Sequence, residues 1–277
     1  MLFRSADVER IRQSLGLDRP FLIQFGSWLW HILHGDLGTS IFTNLPVSTM
    51  IGQRLGPTLS LMCVTLLLTI VVAVPLGVVA AWKAGSFIDR AIMAFAVFGF
   101  SLPVFVVGYV LAYVFALELE WLPVQGYTPL TEGFWPWLQN LILPAIALGW
   151  GFAAMIARLL RAGLVDVYPQ PYVVAARARG LSEPRILATT VLRNASGPMV
   201  AALGLQIGQL LAGAVAIEVI FGRTGMGSLL YNAISGKDIP TVQGGVLFLA
   251  VVYVALNLIV DVLKAIIDPR TRRVGTS

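Results

Sequence analysis

The stretch LGPTLSLMCVTLLLTIVVAVPLGVVAAW, Leu55 to Trp82, runs for 28 residues without an ionisable Asp, Glu, His, Lys or Arg. A helix needs about 20 apolar residues to cross roughly 30 Å of hydrocarbon, so this run predicts a membrane span. Four further uncharged windows follow at Ala91–Leu117, Gly133–Ala157, Asn194–Ile217 and Ile239–Val260. The composition agrees: 57% of residues are hydrophobic and 12% charged, where soluble domains carry about a quarter charged. Mean hydropathy is +0.83. The chain therefore reads as an all-α integral membrane protein with five visible transmembrane helices. Pro75, Pro103 and Pro144 lie inside three of the windows and predict kinks, tolerated where neighbouring groups satisfy the carbonyls that proline frees.

A pI near 9.7 could suggest nucleic acid, but the basic residues are spread between spans, and topology explains them better. Lys and Arg number five in Met1–Arg54, two in Lys83–Arg90, none in Glu118–Glu132, six in Arg158–Arg193, two in Glu218–Asp238 and four from Lys264 onward. The positive-inside rule then puts Lys83–Arg90, Arg158–Arg193 and the C-terminus in the cytoplasm. Residues 1–54 form an extracytoplasmic amphipathic segment, 55–265 the membrane domain with a cytoplasmic loop at 158–193, and 266–277 a cytoplasmic tail. The lone Cys63 excludes an intrachain disulfide and a multi-cysteine metal site.

Within the first segment, ADVERIRQSLGLDRPF places Val8, Ile11 and Leu15 at helical spacing, with Gly16 and Pro20 as stop signals. No apolar leader precedes it. An outside segment without an export signal of its own leads to the expectation that one upstream span is missing; a true five-span form is the alternative. WLWHILHGDLGTS offers His31, His34 and Asp36 as a weak metal signal. The competing expectation is interfacial packing, with Trp28 and Trp30 at headgroup depth.

The loop PYVVAARARGLSEPRILATTVLRN, Pro171 to Asn194, carries four arginines. YVVAARARG favours helix through its alanines and arginines and closes at Gly180. Ser182 as N-cap, Glu183 at the positive dipole end and Pro184 in the first turn restart a second helix. On physical grounds alone this is a basic helix–turn–helix under the membrane, suited to anionic lipid.

Its residues also resemble the cytoplasmic motif of ABC importer permeases, in which two alanines precede a glycine as Ala175-Ala176 precede Gly180. ARARGLS, LRNA, EVIFGRTGMGSLL and DVLKAIIDPR, with ERIRQSLGLDRP and LHGDLGTS upstream, resemble the first permease subunit of dipeptide and oligopeptide importers. Two departures stand out: Val174 replaces a glutamate common in the wider family, and Arg193 stands near a frequent proline. The resemblance implies a polytopic type I ABC importer transmembrane subunit, usually with six helices, in the cytoplasmic (inner) membrane. Implied partners are a second permease, two ATPase subunits, an extracytoplasmic solute-binding protein and membrane lipid; no nucleic acid is expected. Tyr172 to Gly180 would be the coupling helix. Tyr172, Ala175, Ala176, Arg177, Arg179, Gly180 and Leu181 are the candidate contacts, and Arg177 and Arg179 face either partner carboxylates or lipid phosphates. Short peptides are the implied cargo, with nickel chelates, glutathione and oligosaccharides as alternatives.

A P-loop needs Gly, four residues, then Gly-Lys-Ser/Thr. At the one Gly-Lys pair, Gly236-Lys237, Tyr231 and Asp238 occupy the flanking positions and fail it. No cofactor, metal or catalytic residue is expected, and the chain reads as a non-enzyme. A secondary carrier or channel is the second reading, though no ionisable relay lies inside the windows. On the outer side, Glu218, Arg223, Gly225, Gly227 and Asp238 are candidate loop or docking residues, the expectation for each charge alone being a solvated loop residue. Gly204 and Gly208 form a small-xxx-small pair for close helix packing, and Asp261 and Lys264 are a candidate pair.

Overall fold

The computed structural model describes residues 20–267, and the side chains of these apart from Leu205 and residues 263–267. The N-terminal helix expected around Val8 to Leu15, nearly all of the 266–277 tail, and the Lys264 side chain lie outside it.

Ten helices are described besides one 3-10 turn at Leu130–Glu132. α1 (Phe21–Leu33) buries none of its residues and at about 20 Å is too short to span. α2 (Val47–Trp82) and α5 (Phe134–Val167) are long unbroken spans. α3 (Phe87–Ser101) and α4 (Val104–Leu111, widening into a π-helical turn over Ala112–Glu118) share one apolar segment bent by 101°. Two short helices follow, α6 (Pro171–Ala178) and α7 (Glu183–Ile186, a π-helical Leu187–Val191, then Leu192–Ala195). α8 (Gly197–Ile220) bends by 42° between Gly204 and Gln206. α9 (Met226–Gly236) and α10 (Ile239–Ile267) complete the chain. Among the described residues the one β element is a bridge between Thr39 and Pro46.

Three of these helices are long and apolar enough to span unbroken, and counting each of the two bent pairs as one span gives five, the number of uncharged windows. Their ends differ from the windows. α2 starts at Val47 rather than Leu55, and α5 runs on through Arg158 and Arg161 to Val167, so the loop expected at 158–193 begins only after Val167. Charge marks where hydrocarbon ends, whereas a helix continues into the headgroup layer until a breaker stops it. Pro75 and Pro144 leave their helices continuous. Pro103 stands at a full break, where Leu102 takes the extended backbone that a following proline favours.

Of the three unbroken helices α5 is the most enclosed and packs most extensively on α2, and α10 is the least enclosed. The main core joins Leu61 and Val64 of α2, Leu141, Leu143 and Leu148 of α5, and Leu210 and Ile217 of α8. Gly208 fulfils its packing expectation against a neighbouring span: a Cβ there would overlap the Tyr253 ring of α10. One end of the bundle gathers the Lys83–Ser86 turn, α6 and α7; the other gathers the 36–46 turn, the 119–133 loop and α9.

Candidate functional site

At the first end, α6 is short because ARARGL closes it. Gly180 has φ +81°, its N–H donates to Arg177 O at 2.9 Å, and Leu181 N–H donates to Ala176 O at 3.4 Å. This is a Schellman cap, and glycine alone takes that φ without strain. The back of α6 is anchored: Val173 and Ala176, three apart, are buried with Leu160 and Leu164 of α5, Ala81 of α2 and Ile186 and Val191 of α7. Leu181 is half-buried against the same cluster. Tyr172, Val174, Ala175, Arg179 and Gly180 face outward. The paired alanines therefore differ, Ala176 packing inward and Ala175 outward.

Arg177 is exposed as well, and within the chain it has a partner. It grips Glu183 across the turn, with Nε at 2.5 Å and Nη2 at 3.2 Å from the carboxylate oxygens. The Arg177 hydrogen bond holds the Glu183 carboxyl below its ordinary range. Ser182 sits at the N-cap without a side-chain cap bond. A second tie lies beneath: Asp89, 3% exposed, accepts from Arg161 Nε and, at 2.6 Å, from Nη2, and from Gly85 N–H at 2.8 Å. It joins the base of α3 to α5. Residues 72 positions apart leave no periodic trace, so sequence reasoning missed this pair.

At the opposite end the expectation of solvated charges is corrected. Glu218, Arg223 and Asp238 are 0%, 2% and 4% exposed. Glu218 caps α9, whose N-cap residue Gly225 has no side chain to do so. Its carboxylate accepts from Thr58 Oγ1 at 2.5 Å and from Ser228 N–H at 3.0 Å, while Met226 N–H donates to Thr58 at 2.8 Å. An anion at a helix N-terminus satisfies orphan donors and meets the positive dipole end. Gly225 and Gly227 are what let it in: a Cβ on Gly225 would overlap the carboxylate, and one on Gly227 would sit 2.5 Å from Val215 Cα.

Arg223 donates from Nη1 to Asn140 O at 2.8 Å and Gly126 O at 3.3 Å, and lies 5.4 Å from the Tyr127 ring centroid. Asn140 stands four residues before Pro144, so its carbonyl has lost its helical donor. Arg223 supplies one. Burial pushes the guanidinium down to about 10, which leaves it charged at neutral pH. Asp238 accepts from Ser40 Oγ at 2.6 Å, Thr241 Oγ1 at 2.7 Å and Ile41 N–H at 3.2 Å. It pins the 36–46 turn to the head of α10. The three charges thus tie the 218–238 segment to α2, α5 and the N-terminal turn, and none presents its charge to solvent.

His31 and His34 each donate from Nδ1 to a carbonyl of their own helix, Ser27 O at 2.7 Å and Trp30 O at 2.8 Å, and Asp36 accepts from Gly38 N–H at 2.9 Å. Among the described residues no three His, Cys, Asp or Glu side chains gather at metal distance.

The model of the family described as binding-protein-dependent transport system inner membrane component matches residues 73–273. The chain belongs to this family. As a member of it, it is a multi-pass inner membrane protein and the permease component of a transport system. This permease is 41% identical over 265 residues to a probable peptide ABC transporter permease protein of Sinorhizobium fredii, covering 96% of this chain and 85% of that one. It is 38% identical over 262 residues to a glutathione transport system permease protein of Salmonella typhi, covering 95% and 83%. Its fold is similar to that in inward-facing structures of the MetNI methionine ABC transporter, with a TM-score of 0.65 at 17% identity, covering 79% of this permease and 96% of that chain.

Proposed function

We propose that this permease is the membrane subunit of an ATP-driven importer of short peptides, working with a second permease, two separate ATPase subunits and an extracytoplasmic binding protein. It carries out no covalent chemistry itself. The observation that supports coupling to an ATPase most directly is the outward stripe of Tyr172, Ala175 and Arg179 on a helix anchored from behind by Val173 and Ala176. A short helix anchored in this way moves with α5 and α7 as a rigid body, which is how a pull on one face becomes helix displacement. The end bearing α6 and α7 faces the cytoplasm, in keeping with its arginines, and the end bearing α9 faces the binding protein. Peptide as cargo is supported by the 41% identical peptide permease; glutathione, itself a small peptide, is the second reading, supported by the 38% identical relative. Uptake of a panel of labelled di- to pentapeptides into proteoliposomes bearing the assembled complex tests the proposal. ATP-dependent accumulation of several is expected, and accumulation of none would overturn it.

A further inference from the structure

The break between α3 and α4 lies at the edge of the main core, with Leu102 and Val104 half-buried against it and Pro103 exposed. Leu102 and Pro103 are both extended, with ψ of 129° and 137°. Non-helical backbone at membrane depth persists only where protein covers it or where it lines a wet cavity. Here it borders a cavity of about 260 Å³ whose walls include Phe100, Leu102, Leu148, Trp150, Gly151 and Gln209. Trp150 and Gln209 stand near the middle of α5 and α8, roughly 15–25 Å from either helix end at 1.5 Å per residue.

The polar groups at this depth decide what the cavity faces. Gln209 is exposed, where lipid would offer its amide no hydrogen bond and the cost would stand uncompensated. The Trp150 indole Nε1 is buried without a partner in the chain, as are both amide atoms of Gln206, one turn before Gln209. The Gln206 amide is outside the lining and the Trp150 Nε1 is turned against Gly99 of α3, so Gln209 is the one polar side chain that the wall offers at mid-depth. The rest of the lining is apolar and contains no charge.

Resting on the peptide reading above, we infer that this cavity is a subsite of the translocation path that receives one large uncharged side chain of the cargo, aromatic or branched aliphatic. Gln209 serves an adjoining peptide amide, and the Trp150 ring forms part of the apolar wall. The volume falls below the roughly 300–1,000 Å³ of pockets that enclose a whole small ligand, which suits a side chain rather than an entire peptide. A charged side chain would enter with no counter-ion and is disfavoured. Phe95 holds Trp150 in place edge-on, with ring centroids 4.7 Å apart.

Gly151 makes the subsite testable, because a Cβ added there meets nothing nearer than 3.9 Å. Gly151→Ala and Gly151→Leu fill the cavity in two steps. The reading is the ratio of uptake of a Phe-containing tripeptide to that of trialanine by the reconstituted complex, so that a general loss of active protein cancels. The ratio should fall in Gly151→Ala and by about tenfold in Gly151→Leu, the discrimination typical of a misfitted hydrophobic pocket. A ratio unmoved in both variants overturns the subsite and leaves the cavity to a lipid chain or a neighbouring subunit. Uptake of neither peptide by the unsubstituted complex overturns the peptide reading, and the subsite with it.

Discussion

Pro144 and Arg223 are one feature written in two places. The proline removes the amide that would bond the Asn140 carbonyl, and the guanidinium donates to it instead at 2.8 Å. Arg223→Met should therefore cost about 1–3 kcal/mol, the range for orphaning a buried acceptor. In a Pro144→Ala background, where the helix supplies its own donor, the cost should shrink; thermal unfolding of the four proteins in detergent measures the coupling. Asp238 makes a pH prediction. Burial pushes its carboxyl up, but the Ser40 and Thr241 hydroxyls and the Ile41 N–H outweigh that and hold it below its ordinary 3.8. A depressed carboxyl contributes stability above its unfolded pKa and loses it as pH falls through the folded one, so the 36–46 turn should hold at neutral pH and loosen below about pH 4. Hydrogen exchange at Ile41 to Val47, normalised for intrinsic rate, should show that loosening, and Asp238→Asn should show it already at pH 7. Neither role is legible along the chain: glycine-flanked charges read as loop charges, and their partners lie 83 and 198 positions away.

Among the elements, α6 was the most legible, because helix formers ending in Arg-Gly-Leu specify a Schellman cap by local chemistry alone. Which alanine faces inward was not, since a helix this short carries two apolar faces and tertiary contact chooses one. Ala176→Leu, on the buried face, should cost about 1–3 kcal/mol through overpacking. Ala175→Leu, on the outer face, should leave the melting temperature nearly unchanged yet reduce the ATPase that copurifies with the permease. The reverse pattern would place the docking face on the other side. The prolines make the same point. Pro75, Pro103 and Pro144 look alike in apolar surroundings, yet two helices run through and one breaks, because the outcome depends on what packs around the freed backbone. At Pro144 that group is Arg223.

At the scale of the whole molecule, the bundle has two differently built ends. The α6–α7 end is tied by Asp89 and Arg161. Removing Arg161 strands the buried Asp89 carboxylate at a pair that is itself only part-buried, so Arg161→Ala should destabilise, read as a drop in melting temperature larger than that of Arg158→Ala. Orientation can be checked with membrane-impermeant maleimide in a Cys63→Ala background. Thr43→Cys should label in intact cells and Ala178→Cys only in inverted vesicles, whereas the opposite result would invert the proposed topology. The residue order by itself determined that the chain lives in the membrane, how many apolar segments it has and where the basic helix–turn–helix lies, because hydrophobic run length, charge distribution and turn chemistry act locally. Only the tertiary structure decided that the three charges at the α9 end are buried, that a proline's lost hydrogen bond is restored from another element, and that a broken apolar segment opens onto a cavity. Those outcomes depend on groups far apart in sequence meeting where no water is available to substitute for either of them.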